Sequence, residues 1–207
     1  MTKPISTPVP WPHPRADLES ARRDDLVQLG VWMFLGTVVM LFAAFTSALV
    51  VRKGLGEGWG STPIPRILWL NTMVLILSSL TLEFSRRALN RRLVSSFTGW
   101  LYATTALGVL FLAGQLAAWR ELAARGVYLA THTSASFLYL LTAAHGVHLA
   151  GGIIALSYLV IRARAIALGG QRRTAVDVTA IYWHFMDGLW IHPLFAFDEA
   201  LGWEAKN

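Results

Sequence analysis

The side chains most able to do chemistry in this sequence are a few histidines, an aspartate and a threonine inside long apolar segments. Thr142, His145 and His148 lie in one segment, and His184 and Asp187 lie in another. A spacing of three residues places both members of a pair on roughly one face of a helix. Such groups inside apolar segments usually face protein rather than lipid. The sequence therefore predicts a structural polar cluster of these five residues.

The depths of these groups suggest which helices meet. At 1.5 Å per residue, His148 lies roughly 20 Å from the outer end of its helix, and His184 about 10–12 Å from the inner end of its own. The two helices are antiparallel in this prediction, so the two levels nearly coincide. We expect the fourth and fifth helices to be in direct contact through His148, His184 and Asp187.

Three interpretations of this cluster compete. A haem or copper site matches poorly, because two histidines three residues apart on one helix plus one elsewhere form a weak ligand pattern. A proton relay suits His and Asp but needs a chain of groups that reaches both surfaces. Hydrogen bonds between helices, each worth about 0.6 kcal/mol, are the favoured interpretation, so we expect no catalytic, metal-binding or cofactor-binding residue. The absence of Cys excludes disulfides, thiolate metal sites and c-type haem attachment.

The composition indicates what surrounds these segments. Hydrophobic residues make up 55% of the 207-residue chain and charged residues 14%, against roughly 25% charged in a typical soluble domain. The net charge of +6 comes from short basic clusters between apolar runs, which is not the pattern of a nucleic-acid-binding face. An integral membrane protein without a nucleic-acid partner is the expected class.

Five apolar runs are long enough to cross a bilayer as helices, which takes about 20 residues each. No alternation with a period of two runs through them, so strands are not expected. The predicted fold is all-α: a cytoplasmic Pro-rich and charged arm at 1–26, a transmembrane domain at 27–197 and an external tail at 198–207. The predicted spans are 27–51, 65–85, 95–118, 135–161 and 177–197.

The basic residues predict the orientation. The amino-terminal arm, the second loop and the fourth loop carry four Lys or Arg each, whereas the first loop, the third loop and the tail carry three, two and one. Because positive loops stay inside, the amino terminus is expected in the cytoplasm and the carboxyl terminus outside.

Short motifs in the last four predicted helices resemble those of one family, subunit III of the haem–copper terminal oxidases, in its short five-helix bacterial form. The matching residues are Asn71, Thr72, Ser78 and Ser79 of N-T-x-x-L-x-x-S-S, Gly108, Phe111 and Gln115 of L-G-x-x-F-x-x-x-Q, Thr142, His145 and His148 of T-G-x-H-G-x-H, and Tyr182, Trp183, His184, Asp187 and Trp190 of Y-W-H-F-V-D-x-x-W. The resemblance runs in order from about Leu29 to Trp190.

The resemblance implies a respiratory subunit with no catalytic site or cofactor of its own. It would pack against catalytic subunit I, which would hold haem and copper, and against other oxidase subunits in the bacterial inner membrane. It would bind phospholipid in a cleft between the first two helices and the other three, and would support proton uptake by the complex. The alternatives are a subunit of a quinol oxidase or nitric oxide reductase complex, or a small transporter subunit.

Two positions depart from the family pattern. Val38 stands where the family commonly has a membrane-embedded Glu, and Ala118 stands where a second Glu often follows the conserved Gln. Any role of those carboxylates therefore cannot be transferred to this chain.

Overall fold

The computed structural model describes residues 14–55, 66–169 and 173–202, with side chains at 18–19, 22–55, 66–168 and 174–191. Residues 203–207 of the predicted tail and most of the Pro-rich part of the arm lie outside these ranges, whereas 198–202 continue the last helix. Five α-helices account for nearly all of the described chain, and no strand occurs within it. The helices are α1 (Pro14–Leu55), α2 (Arg66–Asn90), α3 (Val94–Ala124), α4 (Thr133–Gly169) and α5 (Arg173–Gly202). The all-α prediction is confirmed.

Four of the helices are long and apolar enough to cross a membrane. The qualifying segments are Arg22–Leu55 of α1, Arg66–Asn90, Val94–Ala124 and Thr133–Leu168 of α4. Each exceeds the roughly 20 residues that a crossing needs. The chain is thus a multi-pass membrane protein.

Among the described residues, α5 has no segment that qualifies in this way, and Asp177, His184 and Asp187 lie within it. Its position in the bundle explains this composition. α5 packs against α1, α2 and α4, so much of its surface meets protein instead of lipid. A helix enclosed in this way can carry polar groups that a lipid-facing helix cannot.

α1 extends further than the sequence analysis predicts. The expected span starts at 27, but the helix begins at Pro14 and has 42 residues, or about 63 Å of length. Proline is well suited to a first helical position, and neither Pro nor Gly interrupts the charged stretch that follows. The charged part of the arm therefore continues the membrane helix.

α2 and α3 form the most extensive helix pair, and a tight turn joins them. The turn ends α2 with Arg92 at a left-handed φ of 58°, while Leu93 N–H donates to the Ala88 carbonyl. The same arrangement ends α3, with Gly126 at φ 77° and Val127 N–H bonded to the Leu122 carbonyl. Both are Schellman-type helix ends, for which glycine is the preferred residue.

The arrangement of the helices differs from the expected division into two and three. α1 packs on α4 and α5, whereas α2 packs on α3 and α5. The first two helices therefore do not form a separate unit in the described bundle, and the expected division into two and three is not observed. The tight turn after α2 is the physical reason, since it holds α2 against α3 in antiparallel contact.

Candidate functional site

Trp183 of α5 is the centre of the bundle and is completely buried. Its indole Nε1 donates a 2.7 Å hydrogen bond to Ser78 Oγ of α2. Gly108 of α3 and Gly152 of α4 lie against its ring: a Cβ added at Gly108 would be 2.8 Å from Trp183 Cη2, and one at Gly152 would be 3.1 Å from Cε3. The two glycines let three helices close around one large side chain. Small residues at contacts are how membrane helices approach closely.

Trp190 repeats this arrangement about two helical turns further along α5. Its Nε1 donates to Thr72 Oγ1 of α2 over 3.1 Å. The ring packs edge-on against Phe111 of α3, with centroids 5.1 Å apart, and lies 4.8 Å from the His145 ring of α4. The two indoles of α5 are thus both bonded to hydroxyls of α2. A partnered N–H is what a buried Trp requires.

His145 lies inside an aromatic enclosure and is only 1% exposed. The rings of Phe42, Phe111 and Trp190 surround it at centroid distances of 6.5, 5.8 and 4.8 Å. Neither ring nitrogen has a hydrogen-bond partner within the described part of the chain. The expected hydrogen bond from this ring to another helix is therefore not formed there.

His148 faces α1 rather than α5. Its Nδ1 donates to the Ala144 carbonyl of its own helix over 2.7 Å, and its ring lies beside Phe34 and Phe42 of α1. The contact between α4 and α5 at this level is made by Tyr182, whose hydroxyl donates to the His148 carbonyl over 2.7 Å. Matching depths predict the right level, but the contact uses a residue that the sequence analysis did not select.

His184 faces α2, where it shares a hydrogen bond with Ser79. Asp187 is 7% exposed, and neither of its carboxylate oxygens makes a hydrogen bond to a described residue. The expected contact of His148 with His184 is therefore wrong, since neighbouring residues on a helix point in directions about 100° apart and depth alone does not fix direction.

Thr142 belongs to a third interface, between α3 and α4. Its Oγ1 donates to the Leu138 carbonyl and accepts a 3.1 Å hydrogen bond from Trp119 Nε1. The predicted five-residue cluster is thus divided over three interfaces. The residues share one region of the bundle interior, but they do not form one site.

A network of charges links α2 and α5 near the end of α2 and the start of α5. Arg86 binds Asp177 of α5 at 2.8 Å and Glu83 of its own helix at 3.2 Å, and Arg87 binds Glu83 at 3.1 Å. The spacing of Glu83 to the two arginines is visible in the sequence. The link to Asp177 is not, because it depends on how α2 and α5 pack.

Two further polar side chains are buried at the contact of α2 with α3. Asn71 and Gln115 are 4% and 3% exposed, and Asn71 Nδ2 and Gln115 Oε1 have no hydrogen-bond partner in the described ranges. Asn71 Oδ1 occupies the place that a Cβ at Gly114 would fill. Ala118 and Val38, at the positions of the missing carboxylates, are both buried among apolar side chains. No group of three or more His, Asp or Glu that could hold a metal ion occurs among the described residues.

Comparison with known proteins identifies the family. The family model described as cytochrome c oxidase subunit III matches residues 20–200. The chain belongs to the cytochrome c oxidase subunit III family. It is 32% identical to a probable cytochrome c oxidase subunit 3 of Nocardia farcinica, over 86% of this chain and 90% of that protein. It is 31% identical to one of Mycobacterium tuberculosis, over 84% and 88%, and 30% identical to the cytochrome c oxidase subunit 3 of Thermostichus vulcanus, over 81% and 84%.

Family membership gives the motif residues a common role in the structure. Three motif residues of α2 bond three motif residues of α5: Thr72 with Trp190, Ser78 with Trp183, and Ser79 with His184. The resemblance found in the sequence is confirmed. These six motif residues hold α2 and α5 together.

Proposed function

We propose that this chain is a non-catalytic subunit III of a cytochrome c oxidase in the aerobic respiratory chain. The observation that carries the proposal is the set of three hydrogen bonds between the motifs of α2 and α5. Motif side chains that could do chemistry are engaged in holding helices together. The chain contains no Cys, and its buried His145 is enclosed by aromatic rings, which favours a scaffold over a redox centre.

The partner in this proposal is catalytic subunit I, which carries haem and copper, within the inner membrane of a bacterium. α1 offers a broad apolar surface for such a partner and for lipid. Trp32, Met33 and Met40 are exposed on it, whereas Leu35 and Phe42 face α4 and α5. Exposed apolar side chains on a helix that crosses a membrane need a lipid or protein neighbour.

A phospholipid acyl chain is the second proposed partner. An apolar groove of about 440 Å³ lies between α1, α4 and α5, lined by Val31 and Phe34, by Ala155, and by Val178 and Tyr182. An apolar lining with few polar groups suits a hydrocarbon chain. A lipid in this groove would join α1 to the two helices that it contacts, and would support the proton-uptake side of the complex by keeping the bundle rigid.

Purification through a tag on this chain tests the proposal. We expect haem and copper absorption bands and catalytic subunit I to co-purify from membranes of the source bacterium. Cytochrome c and quinol, supplied separately as electron donors, distinguish a cytochrome c oxidase from a quinol oxidase, and nitric oxide consumption identifies a reductase. A tagged assembly without haem and copper would support a transporter subunit and overturn the proposal.

A matched pair of variants tests the scaffold role. Trp190→Phe removes the hydrogen bond to Thr72 inside the bundle, whereas Trp100→Phe changes a partly exposed ring of α3. We expect Trp190→Phe to lower the amount of subunit III retained with the haem–copper subunit after detergent washing, and Trp100→Phe to leave it unchanged. Equal retention of both variants would contradict the scaffold role.

A further inference from the structure

A line of polar groups follows the interface between α2 and α5 from one end of the bundle into its interior. We name it the α2–α5 polar ladder, and its members are Glu83, Arg86 and Ser79 of α2 and Asp177, His184 and Asp187 of α5. Along α2 the spacing is Ser79, Glu83, Arg86, and along α5 it is Asp177, His184, Asp187. Steps of three, four and seven residues keep each set on one side of its helix.

The end of the ladder formed by Glu83, Arg86 and Asp177 is partly exposed. The side chains of Arg86 and Glu83 are each 35% exposed and that of Asp177 is 46% exposed. The Arg86–Asp177 and Arg86–Glu83 ion pairs, at 2.8 and 3.2 Å, hold the three groups together. Protons from the aqueous phase can therefore reach Glu83 directly.

The middle of the ladder is the pair formed by Ser79 and His184. They share a hydrogen bond across the helix interface, and Ser79 lies about one helical turn from Glu83 on the same side of α2. A hydroxyl and an imidazole can each accept and donate a proton, so this pair can pass one along. On α5, His184 and Asp187 are three residues apart and lie on one side of the helix.

The inner end of the ladder is Asp187. Ten residues separate it from Asp177, which is about 15 Å along the helix axis. It is 93% removed from solvent, and neither oxygen makes a hydrogen bond to a described residue. An isolated carboxylate ion in such surroundings is very unfavourable, and the ordinary remedies are a proton and an ordered water molecule.

None of the described groups on the helices packed around Asp187 forms an ion pair with its carboxylate, so a proton or an ordered water molecule can still stabilise it. α2 presents Ser79, with Glu83 and Arg86 further out on the same side. On α4, His145 lies behind the Trp190 ring and His148 faces α1. The segment Leu26–Val51 of α1 has no ionisable side chain. No ion pair that involves Asp187 occurs within the described part of the chain.

We propose that Asp187 is a proton-binding site inside this subunit, filled and emptied from one side of the membrane through Glu83 and the Ser79–His184 pair. In the step, a hydronium ion protonates Glu83, the Ser79–His184 pair carries the proton inward through an intervening water, and the Asp187 carboxylate becomes the carboxylic acid. The reverse sequence releases the proton to the same side. Trp190 lies one turn beyond Asp187 on α5, bonded to Thr72 and packed against His145, so the path ends there. The subunit thus stores a proton and does not conduct one across the membrane, whichever enzyme complex it belongs to.

Infrared difference spectroscopy of the intact purified complex tests this site. Transfer from H₂O to D₂O is expected to shift the carbonyl band of a protonated carboxylic acid, and Asp187→Asn is expected to remove that band. Glu83→Gln and Ser79→Ala are expected to slow the deuterium shift roughly tenfold by removing a step of the path. Glu121→Gln, which removes an exposed carboxylate paired with Arg125 near the end of α3, is the control and leaves band and rate unchanged.

Asp187→Glu keeps a carboxylic acid at this position, so it tests the site even if Asp187→Asn fails to assemble into the complex. It is expected to retain an exchangeable carboxyl band at an altered frequency. A complex without a carboxyl band assignable to Asp187 would overturn the site. Exchange at the wild-type rate in both Glu83→Gln and Ser79→Ala would overturn the path.

Discussion

The packing of three helices around Trp183 leads to a quantitative prediction for Gly108→Ala. The new Cβ would lie 2.8 Å from Trp183 Cη2, 3.2 Å from Cζ2 and 3.3 Å from Ile153 Cγ1. The Nε1 hydrogen bond to Ser78 restrains the indole, so the ring cannot move away from the new Cβ without loss of that bond. Overpacking of this kind costs about 1–3 kcal/mol.

Gly99→Ala is the matched control on the same helix. Gly99 has nothing within 4 Å of its Cβ position, so its substitution leaves only the gain of alanine over glycine in a helix, about 0.5–1 kcal/mol. Both variants share that gain, and the difference between them isolates the steric cost. We expect Gly108→Ala to be less stable than Gly99→Ala by about 1–3 kcal/mol.

The measurement is equilibrium unfolding of the purified subunit in mixed detergent micelles, followed by tryptophan fluorescence. The double variant Gly108→Ala with Trp183→Phe should recover part of the loss, because a phenyl ring does not reach the new methyl group. Equal stability of Gly108→Ala and Gly99→Ala would refute the packing argument. Strict additivity in the double variant would show that the two positions do not interact.

Three further predictions follow from other parts of the chain. Carbodiimide treatment of the intact complex should give no adduct on Leu26–Val51, since this segment has no carboxylic acid and Val38 stands at the usual position of one. An adduct mapped to this segment would contradict the prediction. Increased proton-coupled turnover in Val38→Glu would show that the missing acid still affects proton transfer. Arg92→Gly should stabilise the subunit by up to about 1 kcal/mol because it relieves a left-handed φ, whereas Gly126→Ala should destabilise it by a similar amount in the same unfolding assay. The isolated chain should bind neither haem nor copper, and metal retained in stoichiometric amount but lost in His145→Ala would disprove this.

The helices and the family could be predicted from the sequence because their signals are local. Apolar length gives the membrane helices, and the motifs occur as unbroken short segments. The start of α1 was the main error in a boundary, since a change from polar to apolar residues marks the membrane surface but does not end a helix. Charged residues with good helix propensity continue it to Pro14.

The neighbours of each polar side chain could not be predicted in the same way. His148 and His184 were placed at nearly the correct depth, as the hydrogen bond from Tyr182 to the His148 carbonyl indicates. Their partners depend on the rotation of each helix about its axis, and that rotation is set by the fit of Trp183 between Gly108 and Gly152. Such a fit is a property of three helices at once and has no local signature.

The contacts of α1 have a consequence for the order in which the protein is built. Of the five described helices, the one synthesised first packs on the two synthesised last, and 77 residues lie between the end of α1 and the start of α4. At 5–20 residues per second, α1 waits in the bilayer for roughly 4–16 seconds before a partner emerges.

The surface of α1 that later contacts α4 and α5 is apolar, so lipid can cover it until those helices are synthesised. Leu35, Val38 and Phe42 form it, and the hydroxyls of Thr37 and Thr46 bond carbonyls of their own helix. Because no group on this surface needs a partner from another helix, α1 can remain alone among acyl chains without penalty. A carboxylic acid in place of Val38 would make that interval costly, whereas valine lets α1 remain in lipid until α4 and α5 are synthesised.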